Sequence, residues 1–460
     1  MKADTILGAA AAAFLTLCLT LGGASGRGAG AAANGLLQIF AVLLILVVLW
    51  TRRAPYSADA RPLFWVVGGF VAIGLLSLFP LPPDLWERLP GRHSISAGYR
   101  LLQLEPPSLP WSLSWSHTIS SLLWLLPPAA MFVAVVQLPL AGRRFLAWVV
   151  VAIALCSIAL GAAQLLGGPL SELRFYNITN RGAPVGFFAN ANHLATLLLC
   201  ALPMVGYIAG RMGSEGQRAV RSSGIVIGAA LAAILLVGIA VTGSLAGFGL
   251  ALPAGIASFL IYRRAARARM GVTWLMAAGA FLLAFLAVAV AGPLSSEALS
   301  DEVAGEPASR AALAGRTLQA VKSYFPAGSG LGTFVEVYRT FDDPNRVDRE
   351  YANHAHNDYL EVALELGLPG IVLVLGFAGW WAFRSAAAWK SDLRGAGLGR
   401  AGSLIIAVVL LHSVVDYPIR TSAIAAVFAL ACGFLVPFRS APRKLREPQK
   451  HEPLRHMEAD

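Results

Sequence analysis

The chain has 460 residues, of which 57% are hydrophobic and only 13% charged, and its formal net charge is +11. Soluble domains carry about 25% charged residues, so most of this surface faces something other than water and a soluble globular fold is excluded. No fixed-period repeat is visible, and one membrane-embedded domain accounts for the length.

A membrane helix needs about 20 largely apolar residues. Runs of that kind lie at 5–24, 32–50, 63–79, 117–138, 145–166, 191–210, 222–242, 245–262, 272–292, 357–383, 402–416 and 421–438. They predict an all-α polytopic membrane protein of about twelve transmembrane helices. The first run ends near the small residues Ala24-Ser25-Gly26, as a signal peptide would. It is long for a signal core and lacks an Ala-x-Ala site, so an uncleaved helix is expected. Cys18, Cys156, Cys200 and Cys432 all lie in apolar runs and read as small buried hydrophobes, supporting neither a disulfide framework nor a thiolate metal site.

Arginine and lysine in short loops set orientation. Arg52, Arg53, Arg61, Arg143, Arg144, Arg211, Arg218, Arg221, Arg263, Arg264, Arg267, Arg269, Arg384, Lys390, Arg394 and Arg400 fall on one side when the spans are threaded alternately, as does the tail around Arg443, Lys444 and Arg446. That side is expected to be cytoplasmic, with both termini on it, in an inner membrane. The net charge then reflects these loops, and no nucleic-acid partner is called for. The expected division is 1–292 as nine helices with outer loops 80–116 and 167–190, then 293–356 as a large periplasmic loop with a short helix before the tenth helix. The last three helices take 357–438, and 439–460 is a disordered basic cytoplasmic tail. Long irregular segments are uncommon unless functional, so chemistry is expected on the outer side.

The densest polar stretch is Asn353-His354-Ala355-His356-Asn357-Asp358-Tyr359-Leu360-Glu361, with Glu365-Leu366-Gly367-Leu368-Pro369-Gly370 following. Ionisable groups at a membrane span default to a functional reading. Helix capping by Asn357 or Asp358, with Glu361 in the first turn, explains part of it but not two histidines and Glu365. His354, His356 and Asp358 also form an HxHxD string that a metal could use, though such short strings arise by chance. Upstream, 307–325 reads as a helix whose broad face carries Leu313, Ala314, Thr317, Leu318, Val321, Tyr324 and Phe325. Arg310 falls on that face and needs an anionic partner, either a structural carboxylate such as Glu365 or a phosphate; Arg316 falls toward solvent. Gly328-Ser329-Gly330-Leu331-Gly332 reads as a turn or an anion cradle. The loop before the sixth span offers Arg181, Asn190, Asn192 and His193. The eleventh carries His412 and Asp416 four residues apart, a spacing that suits a buried pair, with Arg420 following.

Several of these segments, in order, resemble the O-antigen ligase and polysaccharide polymerase superfamily. FFANANHLA resembles its G-x-F-x-N-x-N entry to a central span, PAGSGLGTF its P-x-x-G-x-G-x-F segment, and HAHNDYLEVALELGLPG its H-N-x-x-L-x-x-x-x-E-x-G-x-x-G signature. HSVVDYPIRT is similar to the closing segment of members from Gram-negative bacteria. One departure stands out: many relatives follow the seventh span with T-x-S-R, where this chain has Thr242-Gly243-Ser244-Leu245. If the missing arginine binds a donor diphosphate, Arg181 or Arg420 must supply the charge.

The resemblance implies glycosyl transfer at the outer face, without cofactor or metal and with inversion at the anomeric carbon. The donor partner is a glycan on undecaprenyl diphosphate within the lipid bilayer. The acceptor is lipid A–core for a ligase or another carrier-linked repeat for a polymerase. Such chemistry needs a cation for the leaving diphosphate and a base for the acceptor hydroxyl. Arg310 fits the first role and His356 the second, with Arg181, Asn192, Asn357, Glu365 and Arg420 as substrate-binding candidates. A transporter of lipid-linked glycan is the competing class; it predicts similar halves or helices broken near the midplane, which the sequence does not display.

Overall fold

The computed structural model of the chain describes residues 2–25, 30–52, 55–215, 218–266, 310–342, 352–393 and 395–438. The candidate span 272–292, the parts 293–309 and 343–351 of the outer loop and the tail 439–460 lie outside the described residues. Within them the fold is all-α. The first half comprises α1 (Lys2–Leu21), α2 (Ala31–Thr51), α3 (Arg61–Leu76), the short α4 (Pro83–Trp86) and α5 (His93–Leu101), α6 (Trp115–Leu123), α7 (Leu126–Gln137) and α8 (Leu140–Leu166). After these come α9 (Ala191–Glu215), α10 (Arg218–Val241), α11 (Leu245–Ala266), α12 (Arg310–Tyr324), α13 (Phe334–Tyr338), α14 (Asp358–Lys390), α15 (Ala396–His412) and α16 (Ser422–Leu435). Two two-residue strands, β1 (Pro80–Leu81) and β2 (Leu109–Pro110), pair antiparallel and tie off the segment after α3.

Nine helical stretches among the described residues are long and apolar enough to cross a membrane, and α15 and α16 are shorter apolar helices. These eleven coincide with the eleven described candidate spans. The fourth is built as two helices, because Leu126-Pro127-Pro128 restarts the chain and proline cannot continue a helix interior. The central element is α9. Its apolar window is 94% buried, against 17–39% in the other long helices, and α10, α11 and α15 pack around it. The outer helices expose Ile39, Leu46, Trp50, Trp65, Val226 and Val237, a surface suited to lipid rather than water.

The ends of the bundle differ. At one end, buried Arg143 donates to the carbonyls of Leu138, Gly433 and Val436, and Arg384 pairs with Asp59 at 2.7 Å. Arg264 at the same end bonds the Trp389 carbonyl. The described basic loops therefore gather at one end, as alternate threading of the spans requires. The opposite end holds the segment before α9, the end of α15 and the start of α14, and it is there that the ionisable side chains meet.

Candidate active site

The signature helix α14 is interrupted. Gly367 has φ 58 and ψ −145, a conformation outside the helical region, so the first turns, 358–366, form a half-helix. Its terminal carbonyls are closed by the glycine-rich segment: Ser329 N–H donates to the Leu364 carbonyl at 2.9 Å and Gly330 N–H to the Glu365 carbonyl at 2.8 Å. Leu368 N–H, just past the break, donates to Pro326 at 2.9 Å. The approach is close enough that a Cβ on Gly328 would fall 2.6 Å from the Glu365 carbonyl oxygen. The other side of the segment rests on α6, where Thr118 Oγ1 donates to Leu331 O at 2.9 Å. Buried Arg92 ties the same segment to the loop after α5 through the carbonyls of Trp111 and Gly328. The Ser329 and Gly330 amides are thus engaged in holding a broken helix, which is the turn reading rather than the anion cradle. A transporter's discontinuous helix offers unwound carbonyls to ions; those of Leu364 and Glu365 already have donors.

Asn357 caps the half-helix. Its Oδ1 accepts from Tyr359 N–H and Leu360 N–H, both at 3.0 Å, and its Nδ2 donates to the Val414 carbonyl at 2.8 Å. The positions i, i+3 and i+7 then bring Asp358, Glu361 and Glu365 to one face, against Arg420 from the turn between α15 and α16. Arg420 reaches Glu361 at 3.0 Å, Asp358 at 3.3 Å and Glu365 at 3.3 Å. Burial works against the Arg420 charge, but Glu361, Glu365 and Asp358 outweigh it and hold the guanidinium well above its ordinary value. Glu361 also takes His354 Nδ1 at 2.9 Å and the Ala355 N–H at 3.0 Å. Asp358 accepts from the Ser413 hydroxyl at 2.7 Å.

A second cluster adjoins the first. His356 has φ 49, a left-handed conformation uncommon for residues with a side chain. Its Nδ1 lies 3.5 Å from Asp416 Oδ1, an ion-pair contact rather than a hydrogen bond. Buried His193, in the first turn of α9, brings Nε2 to 3.8 Å from the same oxygen. Burial alone would raise the Asp416 carboxyl; the His193 and His356 imidazoles overcome that and hold it well below the usual carboxylate range. Tyr417 joins the clusters. The rings of His354, His356 and His193 lie 4.4, 4.8 and 5.0 Å from its own, and Asn353 Nδ2 donates to its hydroxyl at 3.4 Å. Burial, with Asp416 adding to it, pushes the phenol up to about 12.

Three sequence expectations change in detail. His412 and Asp416 are neighbours as expected, interacting electrostatically and through the Asp416 N–H bond to the His412 carbonyl at 3.0 Å, but α15 ends at His412 and His412 Nδ1 meets Thr196 Oγ1 at 2.9 Å. The buried face of α12 is Leu313, Thr317, Ala320 and Tyr324, whereas Leu318 and Phe325 are exposed. Arg310 is half-buried, within electrostatic range of His412. Arg316 pairs with Asp342 at 2.5 Å rather than pointing freely to solvent.

Of the remaining candidates, Glu365 pairs with Arg420, Asn192 sits in the first turn of α9, and Arg181 is exposed in its loop, where its carbonyl accepts from Arg174. Ser244, beside the missing motif arginine, accepts from Gly247 N–H at the start of α11. His354, His356 and Asp358 diverge to Glu361, Asp416 and Ser413, and no group of three or more His, Cys, Asp or Glu among the described residues could hold a metal. Tyr417 is the junction that sequence reasoning missed; its only signal was a place beside Asp416.

A cavity of about 480 Å³ opens from the first cluster. His354, Asp358, Glu361, Glu365 and Arg420 line its polar end, and Phe64, Phe132, Phe377 and Phe428 its apolar end. An all-α polytopic membrane protein with acid–base and ion-paired groups collected at one mouth of its bundle is the class that fold and site define. Residues 228–375 match the family model described as O-antigen ligase. That match spans 148 of the 460 residues and supports an O-antigen ligase-like family, which implies glycosyl transfer of the ligase or polymerase kind. Comparison with curated proteins gave no match.

Proposed function

We propose that the protein is a metal-independent membrane glycosyltransferase that moves a glycan from an undecaprenyl-diphosphate carrier to a sugar hydroxyl at the periplasmic face, in the manner of an O-antigen ligase. The observation that carries this reading is the His356–Asp416 contact of 3.5 Å at the mouth of the signature helix, in a chain matched to the family over 228–375. A carboxylate only accepts hydrogen bonds, so the Nδ1 that faces it carries the proton and Nε2 presents a lone pair. Nε2 takes the proton of the acceptor hydroxyl as its oxygen attacks the anomeric carbon. The bond from that carbon to the diphosphate oxygen breaks, and undecaprenyl diphosphate leaves with the electron pair.

Arg310, half-buried on α12 and within electrostatic range of His412, is the cation proposed for the leaving diphosphate, while Arg420 is held by three carboxylates. Exposed Arg181 is a second, peripheral cation for the donor, and Asn192, near His193, is a polar contact for the glycan. Glu365 and Asn357 act by holding the half-helix. A polymerase differs only in its acceptor, a carrier-linked repeat. The test is transfer by the purified protein from an undecaprenyl-diphosphate-linked glycan to lipid A–core. His356→Ala should abolish it at equal amounts of folded protein; undiminished transfer by that variant refutes the reading.

A further inference from the structure

The wall of the cavity opposite the signature helix carries a polar device that the proposed mechanism does not use. His117, Ser120, Ser121 and Trp124 line it, at positions i, i+3, i+4 and i+7 of one helix face. Ser114 caps this helix and accepts from His117 N–H at 3.4 Å. The His117 Nδ1 lies 3.0 Å from Glu336 Oε1 and 3.0 Å from Ser114 Oγ. A proton therefore sits on Nδ1, and the ring is fixed with Nε2 as its remaining polar atom. Gly332 is wedged behind, where a Cβ would fall 2.3 Å from Ser121 Oγ and 2.7 Å from His117 O, so the wall is held rigidly against the glycine segment.

The charge balance of the cavity says what it can take. The charged residues lining it are Arg420, Asp358, Glu361 and Glu365, and its two histidines each lie against a carboxylate, Glu361 for His354 and Glu336 for His117. Even with both imidazoles protonated, cations do not outnumber carboxylates. A diphosphate or an acidic sugar would enter without a surplus positive charge to meet it, at a cost that low-dielectric surroundings increase. Carboxylates, serine hydroxyls and imidazoles do bind neutral hydroxyl groups, which both donate and accept. The volume of about 480 Å³ is within the usual size of small-molecule sites, and the far end is apolar.

We propose that this cavity is the acceptor-side subsite for a glycolipid whose sugar is uncharged, and that His117 is a binding residue that reads one of its hydroxyls. The proposal rests on the glycosyl-transfer reading for its biological meaning, but its test contains no donor and no turnover. The full-length protein in nanodiscs is titrated at pH 7 with radiolabelled octyl β-glucoside, octyl β-glucuronide and octanol. The three probes share the chain and differ in the head. The glucoside should bind about tenfold or more tightly than the glucuronide, the ratio that ~1.4 kcal/mol of charge discrimination produces. His117→Ala should weaken the glucoside several-fold, as loss of about one hydrogen bond does, and leave octanol unchanged. His117→Gln should recover part of the loss. Glu361→Gln, or Asp358→Asn where the first variant fails to fold, should narrow the discrimination against glucuronide. Equal binding of glucoside and glucuronide overturns the proposal, as does glucoside binding indifferent to His117. Octanol binding as well as the glucoside reduces the cavity to a lipid pocket and overturns it too. A result against His356 in the transfer assay, with these binding results intact, would remove the mechanism and leave the subsite standing.

Discussion

Gly367→Ala is the substitution for which the structure gives the most definite cost. With φ 58 and ψ −145, the residue occupies backbone space that side chains avoid, at a cost on the order of 1–3 kcal/mol. The added Cβ would lie 2.1 Å from Pro326 O and 2.8 Å from both Ala327 C and Gly328 N. All three are backbone atoms, so no rotamer change relieves the contact and the segment 326–328 must move. Moving it breaks the Leu368 N–H bond to Pro326 and strains those from Ser329 and Gly330 to Leu364 and Glu365. Each buried backbone group left unsatisfied costs about 1–3 kcal/mol. Together the change should cost roughly 3–6 kcal/mol, a large share of the ~5–15 kcal/mol of an ordinary fold. The assay is thermal unfolding of the purified variant, with glycan transfer measured alongside. The control is Gly376→Ala on the same helix, where a Cβ meets nothing within 4 Å and the gain in helix propensity is at most about 1 kcal/mol. A Gly367→Ala protein with unchanged melting and transfer would show that the break in α14 is not held by the glycine segment.

His356→Ala should abolish transfer and His354→Ala should weaken it less, because His354 acts through Glu361; kinetics of both at matched membrane level decide, and equal loss from both restored by divalent metal would favour a metal site. Arg310→Ala should remove activity and Arg310→Lys restore little, while Arg316→Ala should be nearly silent, since the Arg316–Asp342 pair is partly exposed and such pairs contribute about 0–1 kcal/mol. Asp416, whose native carboxyl is held well below its ordinary value, contributes stability that is present above about pH 4 and lost as pH falls through the lowered value. Asp416→Asn should flatten that acid limb in pH-dependent melting and lower transfer at neutral pH; an unchanged limb would mean the carboxyl is not so held. A cysteine at Gly182, where a side chain meets nothing within 4 Å, should react with an impermeant thiol reagent from the periplasm, and one at Ser391 should not.

The spans were legible because membrane insertion depends on a local quantity, the hydrophobicity of about 20 consecutive residues. Their threading was legible because arginines recur at one end, and Arg143, Arg264 and Arg384 do lie together there. What composition hid is that some of these arginines are also structural: Arg143 is buried and clamps the carbonyls of the last helix. The glycines of 328–332 and 367 were visible one by one. Their meeting, which creates the half-helix, joins positions about forty residues apart in sequence and could not be read from either alone.

Helical phase worked where the helix continued and was incomplete where it stopped. On α12 it placed Arg310 on the side of Leu313 and Thr317, and both are buried; its centre was off by the step from Val321 to Ala320, since alanine weighs little in an apolar count yet packs where backbones approach. At Asp416 the same rule gave only part of the answer: its N–H still bonds the His412 carbonyl and the two residues interact, but the helix ends at His412. There the carboxylate also meets His356 and His193, residues 60 and 223 positions away. Arg420 shows the reverse case. As a lone cation after Pro418 it invited a phosphate, but Asp358, Glu361 and Glu365 present three carboxylates at the i, i+3, i+7 spacing of one face, and only such a face can surround a single guanidinium. That spacing was in the sequence; what it lacked was the knowledge that α14 and the turn before α16 adjoin. A cation so matched can hold the mouth of the bundle together without meeting an anionic substrate.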